Sequence, residues 1–313
     1  MDLPWVGARA CASRSLAGLA LVAAACNVHA QEIEPRAYSN APVGVNFVIV
    51  GGVHTTGGLS FDTAIPISDA HLESNSLVVA YARTLDLWGK SGKFDAILPY
   101  TRLEGSALFQ GEPVERSVAG PGRPAFRVSI NFHGAPALGL QEFRSWQQDL
   151  IIGASLQVSP PWAQYDADRL LNIGTNRWTF KPELGISKAA GRWTYELQLA
   201  ATFFTDNDEF FGDTTRTQRP LYSLQGHAIH GFASGKWLSI DATYFTGGRT
   251  EVDDVLNNDL QQNWRVGATF AIPMGRLDSI KFSAASGVSA RTGNNFDAYG
   301  MAWQHRWGGG LTP

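Results

Sequence analysis

The carboxyl-terminal stretch Y-G-M-A-W-Q-H-R-W, residues 299–307, decides the fold class. Successive side chains of an extended strand point to opposite faces, so every second residue shares a face. One face carries Tyr299, Met301, Trp303, His305 and Trp307. The other face carries only small and polar residues. This pattern is typical of a strand with lipid on one side and a polar interior on the other, as in an outer-membrane β-barrel. Tyr299, Trp303 and Trp307 are therefore predicted to mark the closing strand and its assembly signal.

The first thirty residues have the features of a secretory signal peptide. Arg9 and Arg14 form a basic region, and an apolar region of eleven residues follows at 16–26. Val28-His29-Ala30 matches a cleavage site for removal of such a leader. The apolar region is too short to span a bilayer, which predicts a cleaved leader over residues 1–30. Lipidation at Cys26 is the alternative processing route.

The remaining chain, residues 31–313, is predicted to form one domain. Its composition narrows the classes of protein to which it can belong. Both cysteines, Cys11 and Cys26, lie in the predicted leader, so neither disulfides nor thiolate metal sites are expected in the exported chain. The net charge is −3, so the chain lacks the excess of basic residues that is typical of nucleic-acid-binding proteins. No later run of eighteen apolar residues occurs, so no transmembrane helix is expected. Residues 31–42 are predicted to form a periplasmic segment before the first strand.

Alternation of apolar and polar residues recurs along the chain and predicts an all-β fold. Several alternating runs are longer than the strands of a soluble sheet and suit tilted membrane-spanning strands. We predict a single antiparallel, up-and-down transmembrane barrel in which the first and last strands pair. The twelve predicted strands are 43–53, 72–84, 93–104, 124–133, 148–159, 176–187, 192–205, 220–233, 236–247, 260–273, 278–291 and 297–307.

Long and short connections alternate between these strands. With a periplasmic amino terminus, the long ones lie outside the Gram-negative outer membrane and the short ones face the periplasm. Two connections break the rule, because 134–147 is long for a periplasmic turn and 292–296 is short for an outer loop. The outer loops are rich in aspartate, which suggests divalent cations bridging them to lipopolysaccharide. A short helix is predicted at Asp166–Asn172.

The strand faces opposite the aromatic residues are predicted to line a lumen. Charged members of this set are Lys93, Asp95, Arg127, Lys181, Glu183, Glu196, Asp241, Arg265, Lys281 and Arg306. Two hypotheses remain open for them. They set the selectivity of a channel, or they pair across a narrow barrel and fill it. Eight strands leave room only for side chains and sixteen leave a channel, so twelve strands do not decide between the two.

Four phenylalanines flank T-D-N-D in a predicted outer loop: Phe203, Phe204, Phe210 and Phe211. One hypothesis is a patch that receives an aromatic solute, and the other is a hairpin that extends beyond the membrane. Tryptophans at strand ends indicate interfacial girdles. The stretch D-N-D-E-F-F-G-D lacks the glycine at position six of a calcium-binding EF-hand loop. No metal site and no cofactor are predicted.

A hydrolytic barrel would need a histidine paired with a nucleophile or an acid. His133, His227, His230 and His305 are available, with Ser223 nearby, but neither G-x-S-x-G nor H-E-x-x-H occurs. We therefore predict that the chain is not an enzyme, and a membrane-embedded hydrolase stays as an alternative.

Several stretches resemble one family over nearly all of the exported chain. They include F-D-A-I-L-P-Y at 94–100, R-V-S-I-N-F-H-G-A-P-A-L at 127–138, G-T-N-R-W-T-F-K-P-E-L-G at 174–185 and F-F-T-D-N-D-E-F-F-G at 203–212. Together they resemble the outer-membrane transporter family called "putative MetA-pathway of phenol degradation". The resemblance implies passive passage of small solutes, including aromatic compounds. Expected partners are outer-membrane lipids and lipopolysaccharide, the barrel-assembly machinery and a small-molecule solute. A structural or surface-interaction barrel with a blocked lumen is the alternative.

Overall fold

A computed structural model describes residues 34–60, 67–109, 112–169 and 171–312, most of them in β-strands. The predicted leader over residues 1–30 lies outside the described residues. The elements are β1 (Val45–Ser60), β2 (Ile67–Leu87), β3 (Lys90–Phe109), β4 (Glu112–Pro121), β5 (Ala125–His133), α1 (Leu140–Phe143), β6 (Leu150–Ser159), β7 (Thr179–Ala190), β8 (Trp193–Phe204), β9 (Asn207–Phe210), β10 (Thr214–Gln218), β11 (Leu221–Gly231), β12 (Trp237–Gly247), β13 (Thr250–Val252), β14 (Val255–Leu256), β15 (Gln261–Met274), β16 (Asp278–Ala290) and β17 (Gly293–Gly308).

Twelve of these strands close into one antiparallel barrel. Each barrel strand pairs with the next one along the chain, in the order β1-β2-β3-β5-β6-β7-β8-β11-β12-β15-β16-β17. The last strand returns to the first, with Val45 opposite Gly308 at one end and Ser60 opposite Gly293 at the other. The predicted twelve-stranded up-and-down barrel and its closing pair are confirmed. Closure leaves no edge of the barrel wall unpaired.

Burial along each strand is inverted relative to a soluble sheet. In β8, Leu197 and Leu199 are 50% and 57% exposed on the outer surface, whereas Glu196 and Gln198 are 4% and 3% exposed inside. Tryptophans lie on the same outer surface as these leucines, including Trp178, Trp193 and Trp264. An apolar exterior around a polar interior is the arrangement that a lipid environment requires of a barrel.

The two ends of the barrel differ in the length of their connections. The end that carries both termini has short turns, such as Trp88-Gly89, where φ angles of 55° and 77° fit a two-residue hairpin turn of type I′. The longer connection between β5 and β6 holds α1. At this end Ala37, Ala135 and Ile151 form a small buried apolar cluster with Tyr38. Among the described residues, no helix has the length and apolar character needed to cross a bilayer.

The opposite end is built differently from the predicted loops. Much of the loop predicted at 54–71 is strand, because the β1–β2 ladder continues to the pair Gly58 and His71. Strands β9, β10, β13 and β14 form a separate four-stranded sheet above the barrel. The helix predicted at Asp166–Asn172 is wrong for the described part of that stretch. There the Asn172 amide donates to the carbonyls of Asp166 and Arg169, at 2.9 and 2.7 Å, and holds a turn instead.

Candidate functional site in the barrel lumen

The segment that precedes β1, residues 34–42, lies inside the barrel near the end that carries both termini. We call it the plug segment. Its central residue, Tyr38, is 2% exposed. The Tyr38 hydroxyl donates a hydrogen bond of 2.9 Å to Oε1 of Glu183 on β7. The sequence left open whether this segment folds into the lumen, and the structure places its described residues there.

A pair of wall glycines receives the Tyr38 ring. Gly153 of β6 and Gly185 of β7 are opposite each other in the register of these strands. A Cβ atom at Gly185 would lie 2.0 Å from Cε2 of Tyr38, and one at Gly153 would lie 2.5 Å from Cδ1. No larger residue fits at either position while the ring is seated. We call this pair the glycine notch.

An ion cluster holds the amino-terminal end of the plug segment. Glu34 accepts hydrogen bonds from Nη1 and Nη2 of Arg127 at 2.5 and 2.8 Å, and Asp95 accepts one from Arg127 Nε at 3.0 Å. Burial alone would raise the pKa of Glu34, but the charge and hydrogen bonds of Arg127 outweigh it and hold that pKa well below its usual range. The buried Arg127 charge is thus neutralised by two carboxylates.

Further contacts tie the plug segment to other strands. The Arg36 backbone N–H donates to Glu196 of β8 at 2.7 Å, and the Arg36 guanidinium lies 5.5 Å from the ring centroid of Trp237 on β12. Lys93 Nζ donates to the carbonyl of Ala37 at 3.3 Å. Because these contacts come from separate strands, the plug segment is held across the interior rather than along one strand.

A cavity of about 490 Å³ remains between the plug segment and the opposite wall. Its polar lining includes Lys93, Asp95, Lys281, Gln304 and Arg306. Pockets of this size accept small organic molecules. Space beside the plug segment is therefore available to a solute of one or two rings.

The charged residues predicted to face the lumen lie on the inner side of the wall. Buried there are Asp95, Arg127, Glu183, Glu196, Asp241 and Arg265; half-buried are Lys93, Lys181 and Lys281; and Arg306 is exposed at the rim. Several of them pair locally, as Lys181 does with Glu183 at 3.4 Å. Their role in selectivity stays a prediction.

One buried pair inside the barrel bears on the hydrolase alternative. His227 Nδ1 and Asp241 Oδ1 are 2.5 Å apart, and the Ser239 hydroxyl also donates to Asp241. A serine nucleophile must contact the histidine, which takes its proton. Here the serine contacts the acid, and His227 Nε2 has no hydrogen-bond partner among the described residues. This arrangement lacks the contact on which acyl transfer depends.

The four loop phenylalanines are not gathered into one patch. Phe203 is on the outer surface. The next residue, Phe204, lies under the guanidinium of Arg177, with its ring centroid 4.4 Å from Arg177 Cζ. Phe210 is buried below Arg216, and Phe211 is half-buried in the turn after β9. Two of these rings therefore contact arginines, and a solute-receiving role for the set stays a prediction.

The closing-strand residues lie on the outer surface near the end that carries both termini. Trp303, His305 and Trp307 stack in sequence, with ring centroids 5.9 and 6.0 Å apart. His305 and Trp303 both bond to Oδ1 of Asp278 on β16, at 2.9 and 3.1 Å. His305 is the polar residue of this face, but its ring stacks between the two tryptophans and continues the row of aromatic rings. Tyr299 is exposed further along the same face of the strand.

The family model described as "Putative MetA-pathway of phenol degradation" matches residues 55–304. The chain belongs to this family. A search of curated proteins gave no match. The match starts after the plug segment, so the interior contacts of residues 34–42 come from the structure of this chain alone.

Solved structures place this phenol-degradation family member among outer-membrane barrels. The COG4313 outer membrane channel from Pseudomonas putida F1 is similar with a TM-score of 0.74 and 19% identity, over 88% of this chain and 100% of that one. At that identity the likeness shows the fold. The transport unit of the autotransporter AIDA-I from Escherichia coli matches with a TM-score of 0.48 and 9% identity, over 88% of this chain and 93% of that one. That score carries no argument about this chain.

Sequence reasoning missed the residues that organise this family member's interior. Glu34 and Tyr38 belong to the segment that the sequence predicts to be periplasmic while leaving open a position in the lumen, and the alternation pattern alone does not reveal the glycine notch. One signal was available, since Gly153 and Gly185 both fall at inward-facing positions of neighbouring predicted strands. A glycine in a strand often marks a close approach of another part of the chain.

Proposed function

We propose that this chain is an outer-membrane channel for passive passage of small molecules, with aromatic compounds as the solute class. The observation that carries the proposal is the cavity of about 490 Å³ beside the plug segment, lined by charged side chains within a closed wall. The description of the family, which refers to phenol degradation, supports the solute class. A passive channel needs no cofactor and no metal.

Selectivity in this proposal belongs to the charged residues of the inner wall. Lys281 and Arg306 line the cavity from β16 and β17, and Lys93 lines it from β3. A cationic lining attracts anions and repels cations at short range. Removing one of these charges changes ion selectivity without changing the wall itself.

Planar-bilayer recording of the purified chain tests the proposal. We expect discrete conductance steps, flux of phenol into proteoliposomes, and a reversal potential that shifts toward cations in Lys281→Gln. Lys188→Gln is the matched control, because Lys188 carries the same charge outside the lumen and pairs with Asp149. Absence of both conductance and flux, even after deletion of residues 34–41, would refute the channel.

A structural or surface-interaction barrel is the second candidate, and the plug segment favours it. The same recordings separate the two. A chain that is silent at full length but conducts after deletion of residues 34–41 has a lumen blocked by its plug segment. Neither outcome calls for catalysis, and we propose no enzymatic role.

The proposal also includes contacts with membrane lipid, the barrel-assembly machinery and lipopolysaccharide. In this proposal the exposed aromatic residues Tyr299, Trp303 and Trp307 meet lipid on the outer surface and serve as the signal read by the barrel-assembly machinery. The acidic loops at the other end, including Asp206 and Asp208, are suited to lipopolysaccharide bridged by divalent cations. Substitution of Trp307 by Ala, followed by an assembly assay in outer-membrane extracts, tests the first contact.

A further inference from the structure

Two arginines at the outer end of the lumen are buried without a hydrogen-bonded carboxylate among the described residues. Arg177, just before β7, and Arg216, in β10, are 2% and 6% exposed. Among the described residues, Nε and Nη1 of Arg177 and Nε of Arg216 have no hydrogen-bond partner. The remaining Arg177 nitrogen, Nη2, donates to the neutral side chain of Gln218. An unpaired buried donor costs about 1–3 kcal/mol and a charged one costs more, so these arginines require an explanation.

A third arginine adds to the charge. Arg123 donates from Nη1 to the hydroxyl of Thr179, at 3.4 Å, on the inner face of β7. Burial, followed by the positive charges of Arg216 and Arg123, holds the pKa of Arg177 well below its usual range. Burial likewise lowers the pKa of Arg216 to about 10. We call these three residues the arginine cluster.

Nearby carboxylates do not complete the cluster. Asp206 attracts Arg177 and Asp259 attracts Arg216, but neither accepts a hydrogen bond from its arginine in the described structure. The contrast with Arg127 at the other end of the lumen is direct, because Glu34 and Asp95 both bond to that guanidinium. Within the described residues, carboxylates bond directly to the buried guanidinium of Arg127, whereas no carboxylate bonds directly to Arg177 or Arg216.

Aromatic rings and hydroxyl groups shape the surroundings of the cluster. The Arg177 guanidinium lies 4.4 Å from the ring centroid of Phe204, and that of Arg216 lies 5.3 Å from the centroid of Phe210. A ring under a guanidinium fixes its plane and leaves its N–H edge for an acceptor. Ser159, opposite Thr179 in the β6–β7 register, has a buried hydroxyl with no partner among the described residues.

We propose that the arginine cluster binds the carboxylate of a small aromatic acid at the outer mouth of the lumen. Guanidinium groups bind carboxylates through paired hydrogen bonds, and the Ser159 hydroxyl is an additional donor. A bound carboxylate would accept hydrogen bonds from the guanidinium nitrogens that have no acceptor among the described residues. The inference rests on the proposed function and deepens it, since it assigns the channel an anionic class of solute.

Equilibrium dialysis with radiolabelled benzoate tests the proposal on the full chain in a neutral detergent. We expect saturable binding of one benzoate per chain, no competition from benzyl alcohol, and affinity at least ten-fold lower in Arg177→Gln. Arg219→Gln is the matched control, because it removes the same charge at the same end from an exposed residue paired with Glu251. This control should bind as the unaltered chain does.

Competition by inorganic phosphate and by chloride in the same dialysis experiment distinguishes a carboxylate site from a general anion site. Three results would each overturn the proposal. Phosphate could compete as well as unlabelled benzoate does, Arg219→Gln could lose as much benzoate affinity as Arg177→Gln, or the unaltered chain could show no saturable binding. Heat-modifiable migration in gels reports folding of each variant, and Arg216→Gln replaces Arg177→Gln if the latter does not fold. Dialysis needs no conductance, so a chain that binds benzoate but shows neither conductance nor phenol flux, even without residues 34–41, refutes the channel and retains the site.

Discussion

Replacing Gly185 by Ala adds one methyl group to the wall on which Tyr38 rests. The new Cβ would lie 2.0 Å from Cε2 and 2.4 Å from Cδ2 of the tyrosine ring, whereas carbon atoms in contact are about 3.5–4 Å apart. Neither atom is the flexible tip of a long side chain, so the ring cannot stay in the glycine notch. We expect the plug segment to leave its seat while the barrel wall remains closed.

The size of the effect follows from what Tyr38 loses. Its hydrogen bond to the Glu183 carboxylate is worth about 1.5–3 kcal/mol, and burial of an aromatic ring contributes about 1.5–3 kcal/mol more. Even the lower sum, about 3 kcal/mol, changes the ratio of seated to released plug segment by about 100-fold. The contacts of Glu34 and Arg36 are unaltered, so release of this middle part is the smallest change expected.

Single-channel recording measures the released fraction directly. A chain without residues 34–41 gives the reference conductance of the released state. Gly185→Ala should spend far more time than the unaltered chain at conductances above that of the seated plug segment, up to this reference level. Gly226→Ala is the control, because a Cβ there lies 3.9 Å from its nearest neighbour, the Glu196 carbonyl oxygen.

A double-mutant cycle decides whether the clash with Tyr38 is the cause. Tyr38→Ala should release the plug segment by itself, and Gly185→Ala should add little in that background because the clashing ring is gone. The reasoning fails if Gly185→Ala has the same effect with and without Tyr38, or if it behaves like Gly226→Ala.

Two further predictions test the orientation of the wall and the ion cluster. Trp303→Lys should destabilise the barrel by about 2–4 kcal/mol if the site lies near the bilayer midplane, and less toward the interface, in urea unfolding from lipid vesicles. Gln304→Lys should be milder, because Gln304 faces the cavity, and equal effects would contradict the facing of this strand. The depressed pKa of Glu34 means that its stabilisation of the plug segment is complete above the unfolded value of 4.5 and is lost only as pH falls through the lower folded value. Conductance should therefore be constant from about pH 7 to 5 and rise only in stronger acid, and a rise already at about pH 6 would show that Glu34 does not control it.

The wall of the barrel could be predicted because its signal is local. In β8, each outward leucine lies beside an inward polar residue, and lipid on one side makes that alternation obligatory. The signal fades where the strands leave the membrane. Residues 55–58, T-T-G-G, are small or polar on both faces, although they continue the ladder of β1. Backbone pairing rather than side-chain polarity extends the hairpin there.

The contents of the lumen could be predicted only in part. Inward positions such as Asp95 and Glu196 follow from alternation alone. The plug segment does not, because Tyr38 bonds to a residue 145 positions away and Arg36 to one 160 positions away. A short polar segment has no pattern that distinguishes the periplasm from the interior of a barrel. The glycine notch depends in addition on the β6–β7 register.

Buried arginines have different partners at the two ends of the lumen, and this difference links the proposed channel to the proposed carboxylate site. Glu34 reaches Arg127 from the plug segment and binds it through two parallel hydrogen bonds, which is the geometry that a free carboxylate would adopt. At the outer end, Arg177 has no such partner within the described chain. A carboxylate that moved inward from there to Arg127 would find that guanidinium occupied by a tethered competitor. Release of the plug segment would therefore enlarge the passage and also free Arg127 to receive the same anion, which couples the size of the opening to the charge of the solute it admits.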